Sequence, residues 1–218
     1  MLTKSPVSIR VWVNPGSTMT TSPLIVAVNG YGAPEHPEAD VALTIYLEAI
    51  IDFCKFNSVE DAAGEIVIDR QIELHLMGGC TNNPELSEAL AMETWFEVRG
   101  PPENVVRVVR HEASIDLRGN LESLQSAVRP DAEIVYFCEM SRWYTTHFLA
   151  RHTLGPRVDV VGIAFDTTSL RWRNRLMQRF PKLWLEKAAV RVGGPCEWLR
   201  QYLRRRHIDK HRRAQRHS

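Results

Sequence analysis

The sequence predicts an α/β fold, a three-layer sandwich with helices on both faces of a mostly parallel sheet of about five strands. Three observations carry that expectation. Strand-sized apolar runs at Leu24–Val28, Ile72–Met77, Val105–Val109, Ile134–Cys138 and Val158–Phe165 alternate with helix-sized segments. The runs end in glycine or polar residues of the kind that turn a strand into a helix. Right-handed crossovers between such units put the strand-to-helix loops on one edge of the sheet. At 218 residues the chain can bury one substantial core, and its apolar, charged, Gly and Pro contents are those of a globular domain. We divide it into an extension or edge strand at 1–22, an α/β domain at 23–203 and a basic tail at 204–218.

Element by element, Val7, Ile9, Val11 and Val13 alternate with polar residues or Trp12, as an edge strand would, before a turn at Asn14-Pro15-Gly16-Ser17. A start at Met19 with a loose extension before it is the alternative. Leu24–Val28 is apolar throughout, as in a strand covered on both faces, and feeds the turn Asn29-Gly30-Tyr31-Gly32. A helix follows, with Ala42, Ile45, Ala49, Phe53 and Phe56 as its apolar stripe. Asn57 to Arg70 is a connection with a minor strand at Ile66–Ile68. The second main strand ends at Gly78-Gly79, and Glu73 and His75 give it one partly exposed face.

The next helix runs from near Ser87 to Arg99, stopped by Gly100-Pro101-Pro102. After the third strand, Asp116 caps a helix carrying Leu117, Leu121, Leu124 and Val128. Ser141 is the expected cap of a helix ending at Gly155-Pro156, and the fifth strand ends at Asp166. A helical, Arg-rich stretch from Leu170 to Lys187 precedes a Gly193-Gly194-Pro195 break. Trp198, Leu199, Tyr202 and Leu203 are expected to dock the final helix, and the six tryptophans read as packing residues.

No apolar run approaches the roughly 20 residues of a membrane-spanning helix, and no signal-peptide pattern opens the chain, so a cytoplasmic location is expected. Cys54, Cys80, Cys138 and Cys196 are scattered, without CxxC or Cys/His metal spacing, and read as buried or half-buried apolar residues. His147 and His152 are five apart and point to different sides of their helix, so no metal site is expected. The net charge of +1 hides an asymmetry: Arg200–Ser218 carries +7 and the remainder −6.

Ligands of open parallel sheets bind at the carboxyl ends of the strands, near the point where strand order reverses. The candidates there are Asn29, Gly30 and Gly32, then Gly78 and Gly79, then Glu112, Ser114 and Asp116, and finally Glu139, Arg142 and Asp166. Glycines let backbone N–H groups approach a ligand, helix N-termini favour anions, and Arg142 can hold phosphate or carboxylate with two hydrogen bonds. The set suits a small anionic or nucleotide-like molecule. Neither glycine pair fits GxGxxG or a P-loop, and no GxSxG elbow occurs.

Several segments occur in a telling order. An early strand ends in glycine, a second ends in Gly78-Gly79, and Ser87-Glu88-Ala89 with Met92 comes next. Gly100-Pro101 then precedes a strand, followed by Glu112-x-Ser114-x-Asp116-x-x-x-Asn120. This order, over roughly Leu24 to Gly155, resembles the YdcF/SanA/ElyC-like family. The family segment reads close to Glu-x-x-Ser-x-Asn-Thr-x-Glu-Asn. Here Asp116, Leu117 and Gly119 replace the first Asn, the Thr and the second Glu, and Glu112 stands one residue nearer the Ser. The family's Thr-Ser turn with His and Arg is replaced by Cys138-Glu139-Met140-Ser141-Arg142-Trp143.

The resemblance implies a Rossmann-like domain with a polar pocket formed by these loops, adding Ser87 and Asn120 to the ligand-binding candidates. It also implies a nucleotide-type ligand, a nucleotide or an S-adenosylmethionine-like molecule. Members have been associated with bacterial envelope biogenesis, many carry membrane helices, and no single reaction is agreed for them. Were the site catalytic, Glu88 and Glu112 would be its general acid or base, because a pocket can retune Glu toward neutral pH. The alternative is a binding module that contacts nucleic acid or anionic membrane through the basic tail.

Overall fold

The computed structural model describes residues 22–32, 34, 36–56, 59–60, 66–67, 70–81, 85–164 and 181–215. The edge strand at Val7–Val13, the fifth-strand end at Asp166 and the helix start at Leu170 lie outside them. The chain runs β1 (Leu24–Asn29), α1 (Val41–Phe56), β2 (Val59–Glu60), β3 (Ile66–Val67), β4 (Ile72–Met77) and α2 (Glu88–Arg99). It continues through β5 (Val105–His111), α3 (Leu117–Ala127), β6 (Ile134–Glu139), α4 (Trp143–Leu154), β7 (Val158–Ile163), α5 (Leu183–Val192) and α6 (Gly194–Gln215). Five strands form one parallel sheet in the order β5-β4-β1-β6-β7, and β2 and β3 make a small antiparallel pair. The architecture is a Rossmann-like α/β sandwich.

Period-two alternation assigns each strand side chain to a layer. Leu24, Val26 and Val28 pack with α1 and α2, whereas Ile25 and Ala27 pack with α3 and α4. Val135 and Phe137 join the first cluster, Ile134 and Tyr136 the second. The chain leaves β1 toward β4 and β5 and returns to β6 through α3, so strand order reverses between β1 and β6.

The structure corrects four local expectations. The buried stripe of α1 is Leu43, Tyr46, Leu47, Ile50 and Cys54, while Ile45 and Phe56 are exposed. The helix is apolar nearly all round, so periodicity left its rotation open. Its rotation is anchored by polar contacts: Tyr46 donates to the Asn29 carbonyl, and Asn104 donates to the Cys54 carbonyl. His75 is buried, not half-exposed, because its Nδ1 meets His111 Nε2 at 2.9 Å. Ser141 does not cap α4; it sits in a 3-10 turn, Met140–Arg142, capped by Glu139, and α4 begins after Arg142 with no side-chain cap. Cys80 is exposed, whereas Cys54 and Cys138 are buried.

The last helix also docks differently. Trp198, Leu199, Tyr202 and Leu203 are exposed, and so is Trp184 of α5. The docking contacts are ionic: Arg118 meets Glu197 at 3.1 Å and Arg200 meets Asp116 at 3.8 Å.

Candidate functional site

Asn29 ends β1 at the reversal point and is buried. Its Oδ1 accepts hydrogen bonds from Asn120 Nδ2 (3.2 Å) and Tyr136 OH (3.0 Å), and its carbonyl accepts from Tyr46 OH (3.1 Å). Its Nδ2 donates to the Gly30 carbonyl at 2.9 Å. One residue, through its side chain and its carbonyl, therefore ties together α1, α3, β1 and β6. Both phenols are held far above their ordinary pKa, chiefly by burial, and stay neutral donors.

The first turn of α2 is closed from within. Ser87 Oγ accepts from Leu90 N–H (2.9 Å) and donates to Glu112 Oε1 (2.5 Å). Glu88 N–H and Ala89 N–H donate to the carbonyls of Gly79 and Gly78. Here the glycine pair supplies acceptors to a helix, not open donors to an anion. A Cβ on Gly79 would lie 2.5 Å from the Glu112 carbonyl oxygen. Ser114 and Asp116 are committed similarly: Ser114 Oγ donates to the Asp116 carbonyl (3.0 Å), and Asp116 caps α3 by accepting from Gly119 N–H (2.8 Å).

Glu88 occupies the space that Gly30 and Gly78 leave. A Cβ on either glycine would lie 2.6 Å and 2.8 Å, respectively, from Glu88 Cβ. Gly78 also has φ of +144°, where a side chain is strained. Thr81 donates to Glu88 Oε1 at 2.5 Å. Burial pushes the Glu88 carboxyl above its ordinary pKa, opposed by the Thr81 hydrogen bond and then by the charge of Arg142.

Arg142 projects from the β6 side of the reversal point. Its guanidinium lies over the Tyr31 ring, 5.5 Å from the centroid, and among the described residues no hydrogen bond or ion pair engages it. Glu139, buried at the end of β6, accepts from Ser141 N–H (2.7 Å) and Ser141 Oγ through Oε2, leaving Oε1 without a partner among the described residues. Asn120 Oδ1 is likewise buried and unpartnered, because its amide is oriented by donation to Asn29. Lys182 lies within electrostatic reach of Arg142.

The structure thus brings Asn29, Gly30, Gly78, Glu88, Asn120, Glu139 and Arg142 to the ends of β4, β1 and β6. Gly79, Ser87, Glu112, Ser114 and Asp116 form a neighbouring, internally bonded group at the ends of β4 and β5. Gly32, with φ of +136°, turns the loop after β1. Asp166 lies outside the described residues. Sequence reading missed Tyr31, Tyr46, Thr81 and Tyr136; both buried tyrosines sit in apolar runs that read as core.

A separate open cleft of about 440 Å³ lies along α4, lined among others by His147, Phe148, His152 and Lys187. His147 and His152 share it despite their five-residue spacing. It carries aromatic and basic groups but none of the strand-end residues. Comparison with models of known protein families, with curated proteins and with solved structures finds no match to this chain.

Proposed function

We propose that this chain is a YdcF-like protein of the cytoplasm that binds a small anionic, nucleotide-like molecule at the ends of β1 and β6. A nucleotide or an S-adenosylmethionine-like ligand fits the reading. The observation that carries it is Arg142: a half-buried guanidinium at the start of α4, laid on Tyr31 and, among the described residues, paired with no carboxylate. A guanidinium with no hydrogen bond or ion pair among the described residues, beside a helix start without a side-chain cap, favours an anionic group, and Arg holds phosphate or carboxylate through two hydrogen bonds.

The buried acceptors Glu139 Oε1 and Asn120 Oδ1 are suited to ligand hydroxyl or amine donors. Glu88, whose carboxyl burial pushes above its ordinary pKa, is the residue of this set that we assign as general acid or base. Glu112 is held by Ser87 and positions the first turn of α2.

Thermal-shift and calorimetric titration with adenine nucleotides, S-adenosylmethionine and sugar phosphates tests the reading. At least one compound should stabilise the protein. Arg142→Ala should weaken that binding about 10- to 100-fold, the worth of a charge-assisted hydrogen bond in a sheltered site. Stabilisation by none of them, or an affinity unchanged in Arg142→Ala, would refute the assignment.

A further inference from the structure

Among the described side chains of α6, those that meet the body lie on one side of the helix. Glu197 and Arg200 face α3, where they pair with Arg118 and Asp116, and Arg200 is buried. The opposite side of the same turns presents Trp198, Leu199, Tyr202 and Leu203, which are 64%, 41%, 47% and 44% exposed. At about 100° per residue these four positions span an arc of roughly 140°, a continuous apolar strip. Trp198 and Tyr202 stack on each other at 5.5 Å, with their planes 13° apart. Arg205 and Arg206 follow in sequence and are exposed. Arg200–Ser218 carries +7, with Asp209 as its single acidic residue.

We propose that this strip of α6 lies on an anionic lipid bilayer. Trp and Tyr settle at the headgroup level, their apolar bodies toward the acyl chains and their polar edges in water. Leu199 and Leu203 enter the same boundary, and the arginines meet the anionic headgroups. Charge selects the occupant: beyond the paired Arg200, residues 201–218 carry +6, which favours an acidic partner. Chemistry then separates lipid from nucleic acid. Trp198 and Tyr202 stack on each other, which takes up one face of each ring and leaves less aromatic surface for stacking with bases. Exposed leucines contribute to partitioning into a bilayer and have no counterpart in reading bases or phosphates. The role is independent of the strand-end site.

The test is co-sedimentation of the full chain with vesicles of phosphatidylcholine and phosphatidylglycerol in about a 2:1 ratio, against phosphatidylcholine alone. Binding to the mixed vesicles is expected to be at least about tenfold tighter and to weaken steeply with added salt. Trp198→Ala/Tyr202→Ala should cut it by about tenfold with an unchanged melting temperature, because neither side chain is buried. Arg142→Ala should bind vesicles like the wild type. No binding to the mixed vesicles at low salt would overturn the proposal. So would undiminished binding by the double variant, or binding of single-stranded RNA without vesicle binding. Self-association lost in the double variant, in a protein that ignores vesicles, would assign the strip to a second copy and equally overturn it.

Discussion

Replacing Gly30 by alanine places a methyl group where Glu88 already lies. The new carbon would overlap the Glu88 carboxylate and lie 2.6 Å from Glu88 Cβ, about 1 Å inside ordinary carbon contact. Glu88 is hemmed in by Gly78 and by its bond to Thr81, so it cannot swing clear without losing that bond. Overpacking of this kind costs about 1–3 kcal/mol, and the size of the overlap points to the upper part of that range. The partner change is Glu88→Gly, which removes both overlapping groups. Alone it should cost about 1–2 kcal/mol through lower helix propensity and the lost Thr81 hydrogen bond. With the obstruction gone, adding Gly30→Ala should cost under about 1 kcal/mol, a coupling of roughly 2 kcal/mol. Glu88→Gln keeps the bulk and loses the charge, so it should not relieve the alanine. Urea unfolding of the four proteins, followed by circular dichroism and extrapolated linearly, measures the cycle. Additivity within about 0.5 kcal/mol would refute the close-approach account, as would relief by Glu88→Gln.

A second perturbation acts through protons. Burial, then the neighbouring His75 and Arg107, push His111 down to about 4. An unfolded histidine titrates near 6.5, so the unfolded chain binds more protons between these values, and stability falls as pH drops from about 6.5 to about 4. The full loss is about 3 kcal/mol. Glu73, held low by His75, adds to the acid loss, while Glu88 and Glu186, raised by burial, act oppositely. His111→Gln should flatten the fall of the melting temperature between pH 6.5 and 4, and equal slopes in the two proteins would remove His111 from the account. A third perturbation is alkylation. Cys80 should react first in the folded protein, ahead of the half-buried Cys196, and Cys80→Ser should remove that first phase, while Cys54 and Cys138, buried and pushed up to about 12, should react only in urea. Fast modification of all thiols in the native state would contradict the burial of β6 and α1.

The parallel sheet was legible because it depends on apolar runs whose length and spacing survive without tertiary information. The rotation of α1 was not: with apolar residues on nearly every side, which row faces inward is decided by where Tyr46 can reach Asn29. The docking face of α6 was misread for a related reason. Sequence patterning ranks Trp198 and Leu199 above Arg200 for burial, but Arg200 and Glu197 find charged partners at the start of α3. At the strand ends the sequence located the loops and left open which groups are already satisfied. Gly78 and Gly79 looked like donors to an anion, whereas their carbonyls serve α2. Among the described residues Glu139 and Asn120 keep unpartnered oxygens, which no sequence pattern marks.

The bonds at Asn29 have a mechanical meaning. The residue stands between two helical layers that otherwise pack on opposite faces of the sheet, and it is bonded to Tyr46 from one and Asn120 from the other. Through this terminal a shift in α3 bears on α1 across the thickness of the domain. Drift among later substitutions is constrained accordingly. Asn120 and Tyr136 share one acceptor oxygen, so a change at either alters what the other meets at the end of β1.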